Sequence, residues 1–263
     1  MIDVHTHILP GIDDGVRTIE GSVEFARVAI QDGVKVIVAT PHCKEGVWDN
    51  ERPGILEAVE TLRARLAQEG LSVDLRPGAE VHLCPDLVQR VKDGRATTLG
   101  DNGRTVLLEL SLTQYPVELE NLVFQMKLAG LHVLFAHPER IRYFQDDIRR
   151  YESVVQLGGY GQITTGSVLG TFGSEVLRFS QEILRKGLVH VLATDAHNVR
   201  GRPPILSEAV EVMEPLVGPR RALSMATDVP AALLEGREPE IPPVEGRKTR
   251  RSSFLGRLFG RSG

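Results

Sequence analysis

The 263 residues suit one large domain, since an α/β barrel alone takes about 250. Hydrophobic residues at 41% and charged residues at 25% are the mix of an ordinary globular chain and exclude collagen-like and wholly disordered classes. The net charge of −4 hides an asymmetry: residues 247–263 carry a charge of +6 with no acid, which leaves −10 for residues 1–246 and argues against nucleic-acid binding by the domain.

No run approaches the ~18 apolar residues of a membrane span. Met1-Ile2-Asp3-Val4-His5 has neither a basic n-region nor an apolar h-region, so no secretory leader is expected. Two cysteines cannot make a disulfide framework, and a reducing, cytoplasmic setting is the expectation.

In chain order, residues 1–7 (MIDVHTH) form the first strand candidate. Ile19, Val23, Ala26 and Ile30 are spaced for one helical face before Gly33. The second strand, VKVIVA, then runs into Thr40-Pro41-His42. Ile55, Val59, Leu62 and Leu66 repeat the helical spacing before Gly70, and LSVDL leads to Gly78-Ala79-Glu80 as the third. Leu87, Val88 and Val91 read as helical. The fourth strand is Thr105-VLLEL. The fifth is LHVLFA after Gly130, ending in His137-Pro138-Glu139-Arg140; the sixth is YGQIT after Gly159. The seventh is LVHVLA after Gly187, ending in Thr194-Asp195-Ala196-His197. Glycine at a helix end tolerates positive φ and acts as a stop. Strands that alternate with helices imply a parallel sheet, and strands apolar almost throughout imply burial on both faces. Seven such units suit a closed or nearly closed barrel over residues 1–236.

Residues 237–246 hold three prolines and read as a linker. Residues 247–263 are a basic tail, expected to be disordered. A sharper reading sets Phe254, Leu255, Leu258 and Phe259 on one helix face among arginines, fit to lie on an anionic membrane surface.

The chemistry-bearing residues fall at strand ends. His5 and His7 close the first strand and His42 the second. Glu80 follows the third, Glu109 lies in the fourth, His137 ends the fifth, and Asp195 and His197 end the seventh. The C-terminal ends of barrel strands converge on one face. Side chains two apart on a strand share a side, so His5 with His7, and Asp195 with His197, can each reach one ion. With Asp14, these make nine candidate ligands, enough for two or three ions. Imidazole with carboxylate suits Zn, Mn or Fe, and four carboxylates at one mouth need cations to offset their repulsion.

Asp13-Asp14-Gly15 taken alone is a turn. His132 and His190 start their strands, at the wrong end for the site, and His82 lies beyond Glu80; all three read as structural or surface residues. Arg140 and Arg202 flank the candidate ligands, with Arg200 a competitor for the second role. A guanidinium fork matches phosphate oxygens, and clustered metals beside arginine point to hydrolysis of a phosphate ester. Arg140, Arg202, Asp14 and His42 are the candidate catalytic residues. Cys84-x5-Arg90 has the spacing of cysteine-based tyrosine phosphatases but no glycine to wrap a phosphate, so it is not read as a nucleophile. Cys43 reads as a partly buried thiol beside His42.

Met1-IDVHTHILPGIDDG-Gly15, Ala39-TPH-His42, Gly78-AE, Leu107-LEL, Ala136-HPER-Arg140 and Thr194-DAHN-Asn198 together resemble the PHP (polymerase and histidinol phosphatase) superfamily. More narrowly, they resemble the manganese-dependent bacterial protein-tyrosine phosphatases of capsule and exopolysaccharide operons. The resemblance covers residues 1 to about 235. It implies a distorted (β/α)7 TIM-like barrel and a trinuclear manganese centre on His5, His7, Asp14, His42, Glu80, Glu109, His137, Asp195 and His197. It also implies that Arg140 and Arg202 bind the phosphate. The implied substrate is phosphotyrosine on the C-terminal tail of a cognate bacterial tyrosine kinase. A PHP-type small-molecule phosphomonoesterase, such as a histidinol-phosphate phosphatase, is the alternative.

Overall fold

The computed structural model describes residues 1–245. Its strands are β1 (Ile2–Thr6), β2 (Val36–Ala39), β3 (His42–Cys43), β4 (Asp74–Pro77), β5 (Glu80–His82), β6 (Thr105–Glu109), β7 (His132–Phe135), β8 (Tyr160–Thr164) and β9 (Val191–Ala193). All of them pair in parallel, as one sheet ordered β1-β2-β4 and another ordered β3-β5-β6-β7-β8-β9.

Two of the expected single strands are broken in two. Thr40-Pro41 separates β2 from β3, and Pro41 has no N–H to give to a ladder. Gly78-Ala79 separates β4 from β5, and a Cβ at Gly78 would lie 2.9 Å from Val38 Cγ1, so glycine permits the close approach. Two passes of chain therefore contribute to both sheets, through β2 and β3 and through β4 and β5. The curl brings the first and last strands together: Asp195 N–H donates to His5 O at 2.9 Å, and His7 N–H donates to Ala196 O at 2.9 Å.

Strand alternation divides the core. Ile37, Val106, Leu108, Val133, Phe135 and Leu192 join the larger apolar cluster, which includes residues of the surrounding helices. Their neighbours Val38, Leu107, Leu134 and Val191 join a smaller cluster capped by Leu99, Val229 and Leu233. Helix Arg52–Gln68 buries Ile55, Val59, Leu62 and Leu66, as their spacing predicts. Helix Ile19–Gln31 turns a slightly different face inward: Val23, Phe25, Ala26 and Ala29 are buried, while Ile19 and Ile30 are only partly so.

The N-terminal ends of the strands form a closed floor. Arg221 donates to Val189 O at 2.9 Å and to Pro242 O. Tyr160 hydroxyl donates to Glu238 Oε1 at 3.0 Å, Val244 is buried, and Glu245 N–H donates to Val217 O at 3.1 Å. Over 237–245, then, the proline-rich stretch is a strap seated on the floor, not a free spacer. Prolines leave carbonyls without neighbouring N–H groups to use them, and Arg221 takes the one at Pro242. The basic tail, with the readings of disorder and membrane contact, lies outside the described residues. Among the described residues, no helix is long and apolar enough to cross a membrane.

His132 and His190 stand at this floor, away from the strand ends that carry the other histidines. His190 is buried, and its Nδ1 accepts a hydrogen bond from Gly161 N–H at 3.0 Å. Burial, and then the nearby Arg221 charge, push its pKa down to about 3. An unfolded histidine titrates near 6.5, so the unfolded chain takes up this proton first as pH falls. The stabilisation from His190 is complete above about pH 6.5 and is lost progressively toward pH 3, at about 1.4 kcal/mol per pH unit. Urea unfolding of the wild type and His190→Gln at several pH values tests this. The stability difference between them should narrow or reverse between pH 6.5 and 4.5, and a constant difference would contradict it.

Candidate metal centre

The nine expected ligand-type residues converge at the C-terminal ends of the strands. Three overlapping groups place ligand atoms within 4.8 Å of one another: His7, Asp14, His42 and His197; His5, His7 and Glu80; and His42, Glu80 and Glu109. The remaining two adjoin these, with His137 Nε2 at 2.8 Å from Glu80 Oε1 and Asp195 Oδ1 at 3.3 Å from His7 Nε2. Six of the nine are buried. Asp14 at 53% exposed, Glu109 at 19% and His42 at 17% mark the open side.

The backbone bends to make this convergence. His137 and Asp195 both take left-handed conformations, φ 35° and φ 51°, just past β7 and β9. The loop bearing Asp13 and Asp14 lies flat on β1 because Gly15 has no side chain; a Cβ there would come 2.3 Å from His7 O.

The electrostatics call for positive charge at the centre. Burial alone would raise the Glu80 carboxyl, but the His5 charge and contacts from His137 and His42 hold it well below the usual range. Asp195 is likewise lowered against burial by His5, His7, Arg202 and His137. Hydrogen bonds from His197 and His42 depress Asp14. Burial would lower His42, yet Asp14 and Glu80 push it up to about 10. His7 is raised well above its ordinary value, because Asp13, Asp195 and Glu80 outweigh burial. His197 is lowered, chiefly by burial.

The donor set fits cations. His5 Nδ1 donates to Gln162 Oε1 at 2.9 Å, and His7 Nδ1 donates to Asp13 Oδ2 at 2.8 Å. Each ring therefore turns Nε2 inward, where the two nitrogens stand 3.3 Å apart. With both Nδ1 atoms donating, the Nε2 atoms of neutral rings aim their lone pairs at one place, as two imidazole ligands of a single ion do. Glu80 Oε2 lies 2.9 Å from His42 Nδ1 and 3.2 Å from His5 Nε2, yet it closes no well-directed hydrogen bond. A carboxylate oxygen aimed among imidazoles without completing hydrogen bonds suits a shared ion.

Residues behind the cluster were not visible as site residues in the sequence. Asp13 is no simple turn residue, since it also accepts from His42 N–H at 3.1 Å. Gln162 Oε1 accepts from His137 N–H at 3.2 Å as well as from His5. Such partners fix the tautomer and orientation of a ligand histidine. A glutamine inside an otherwise buried strand was the available signal for Gln162. His82 is not remote from the site either: its Nδ1 stands 3.1 Å from Glu109 Oε2.

Both arginines meet Asp195. Arg140 Nη1 donates to Asp195 Oδ2 at 2.9 Å, and Arg202 pairs with the same oxygen. Arg202 Nη1 also donates to His197 Nε2 at 3.1 Å, while exposed Arg200 lines a cavity nearby. Burial raises the Cys84 thiol despite Arg90, and Asp86 adds to the rise. That is the opposite of what a thiolate nucleophile needs. Burial also raises the Cys43 thiol.

Imidazoles and carboxylates gathered at parallel strand ends beside paired arginines are the layout of a metal-dependent hydrolase for anionic groups. The family model for capsular polysaccharide synthesis, CpsB/CapC, matches residues 1–235, and the chain belongs to that family. It is 36% identical over 214 residues to tyrosine-protein phosphatase YwqE of Bacillus subtilis (strain 168), covering 81% of this chain and 84% of that protein. It is 27% identical over 227 residues to tyrosine-protein phosphatase CpsB of Streptococcus agalactiae serotype V, covering 84% and 93%. The fold matches a chain from the crystal structures of YwqE from Bacillus subtilis and CpsB from Streptococcus pneumoniae, described as metal-dependent tyrosine phosphatases. The TM-score is 0.88 at 33% identity, over 93% of this chain and 98% of that one.

Gln162 offers a test of the support around the cluster. Gln162→Leu should leave the fold intact but weaken metal retention about 10- to 100-fold, read by metal analysis after dialysis against graded chelator. Retention equal to wild type would show that His5 and His137 need no such support.

Proposed function

We propose that this chain is a metal-dependent tyrosine-protein phosphatase that hydrolyses phosphotyrosine on a protein of the capsule or exopolysaccharide machinery. The observation that carries the reading is the meeting of nine ligand-type side chains with two arginines on Asp195, in a family whose relatives bear that name. The two parallel sheets are read as one distorted (β/α)7 TIM-like barrel of the PHP type, in seven passes.

The ions would be held by His5, His7, Asp14, His42, Glu80, Glu109, His137, Asp195 and His197. Manganese is the proposed metal, in two or three ions. Divalent cations in such a site supply Lewis acidity and a water nucleophile at neutral pH. The chain's own residues do the rest. Arg140 and Arg202 present guanidinium forks to the non-bridging phosphate oxygens and stabilise the charge that develops there. Asp195 holds both arginines to the cluster, so the phosphate is fixed against its attacking group. Asp14 and His42, on the open side of the cluster, are assigned to the reaction as well as to the ions, where solvent can supply the proton that the phenolate takes up. No covalent phospho-enzyme is required, which agrees with the raised Cys84 thiol.

The proposed substrate is the phosphotyrosine-bearing C-terminal tail of a bacterial tyrosine kinase, in the cytoplasm. This part of the reading rests on the resemblance and on the capsular family.

Phosphate release from a phosphotyrosyl peptide, with manganese and then with excess chelator, tests the assignment. Release should require metal and should exceed that from histidinol phosphate. His137→Ala and Asp195→Ala should abolish turnover and lower bound metal, and Arg202→Ala should cost about 100-fold or more. Cys84→Ser should remain active. Chelator-resistant activity, or loss in Cys84→Ser alone, would overturn the assignment.

A further inference from the structure

One aromatic side chain beside the arginines is left unused by the site as built so far. Phe172 lies in the loop after the short helix Thr165–Val168 that follows β8, between Gly170 at φ 81° and Gly173 at φ 93°. It is half-buried and belongs to neither apolar cluster of the core. Its ring backs onto Gly166, where a Cβ would come 2.9 Å from the ring edge. Thr171 N–H donates to Gly166 O at 2.8 Å and pins the loop there. The loop therefore seats an aromatic ring in a fixed place without burying it in the core.

That place is defined by the arginines. The Arg140 guanidinium carbon lies 4.8 Å from the centre of the Phe172 ring, and that of Arg202 lies 6.0 Å from it. Phe172 and Arg202 also line a cavity of about 240 Å³, shared with Thr165, Leu169, Pro203 and Ile205. The lining is mixed: apolar side chains with Arg200 and Arg202, and one acid, Glu208.

We propose that Phe172 and this cavity form the subsite for the aromatic ring of the substrate, and that they make the enzyme selective for aryl over alkyl phosphates. The proposal rests on the phosphatase reading and deepens it. When Arg140 and Arg202 hold the phosphate, an aryl ring one oxygen away lies beside Phe172. Aromatic pairs are favourable at centroid separations of about 4.5–7 Å. A phosphoserine or phosphothreonine presents only an sp³ carbon there, with no π face to pack. Selectivity for tyrosine then comes from the ring wall, while the arginines serve any phosphomonoester alike. Phe172 is a specificity residue: it touches the substrate away from the bond that breaks.

The test measures binding with two non-hydrolysable ligands, phenylphosphonate and methylphosphonate, on the manganese-loaded protein by calorimetry. Wild type should bind phenylphosphonate more tightly. Phe172→Ala should weaken phenylphosphonate about two- to ten-fold and leave methylphosphonate unchanged, while Phe172→Tyr keeps the preference. Equal losses for both ligands would overturn the proposal, because the ring would then only be holding the arginines in place. Unchanged binding of both would overturn it as well. If wild type binds neither phosphonate, the phosphate site itself fails, and the subsite with it.

Discussion

Glu80 is a buried carboxylate around which the rest of the site is arranged. Parallel register sets it between His42 on β3 and Leu107 on β6. Four imidazoles approach it, those of His137, His42, His5 and His7, at 2.8, 2.9, 3.2 and 3.4 Å. An unpaired charge so placed would cost several kcal/mol, so the fold must bring compensating charge to this one point. Those imidazoles arrive from β1, β3 and the end of β7, which the curl of the sheet makes possible. The bends at His137 and Asp195 and the flat loop at Gly15 are the local accommodations that let them meet.

The same requirement explains which features were legible in the sequence. Ligand-type residues at successive strand ends need only the rule that parallel strands present their C-termini on one face, so their convergence could be read without coordinates. Strand and helix existence followed from glycine stops and apolar periodicity. Strand continuity did not follow: Pro41 was a local signal for a break, while the break at Gly78 depends on the approach of Val38 from the neighbouring strand. Asp13 was hidden by a turn motif that is real as well. Gln162 and Asp13 act only through histidines on other parts of the chain, so no local pattern reveals them. His82 was misplaced because the distance that matters, to Glu109, crosses from β5 to β6. Phe172 carried a weak signal, an aromatic in a glycine-flanked loop, which means little until the arginines are seen beside it.

Polar residues are divided between the two ends of the sheet by purpose. At the mouth, opposite charges are packed until carboxylates and imidazoles shift each other's proton affinity in opposing directions. At the floor, His190 is kept neutral as a hydrogen-bond acceptor, and Arg221 gives its protons to main-chain carbonyls. One end stores electrostatic tension that ligands can relieve, and the other satisfies backbone groups that would otherwise be left without partners.

The strap over residues 237–245 has a geometric consequence for traffic around the molecule. It crosses the floor and leaves the described chain at Glu245, beside Val217, on the side away from the histidine cluster. Its carbonyls and side chains are spent on the floor, through Pro242 O, Glu238 and Glu245 N–H. The mouth faces the other way, so this stretch of the described chain neither narrows nor covers the histidine cluster.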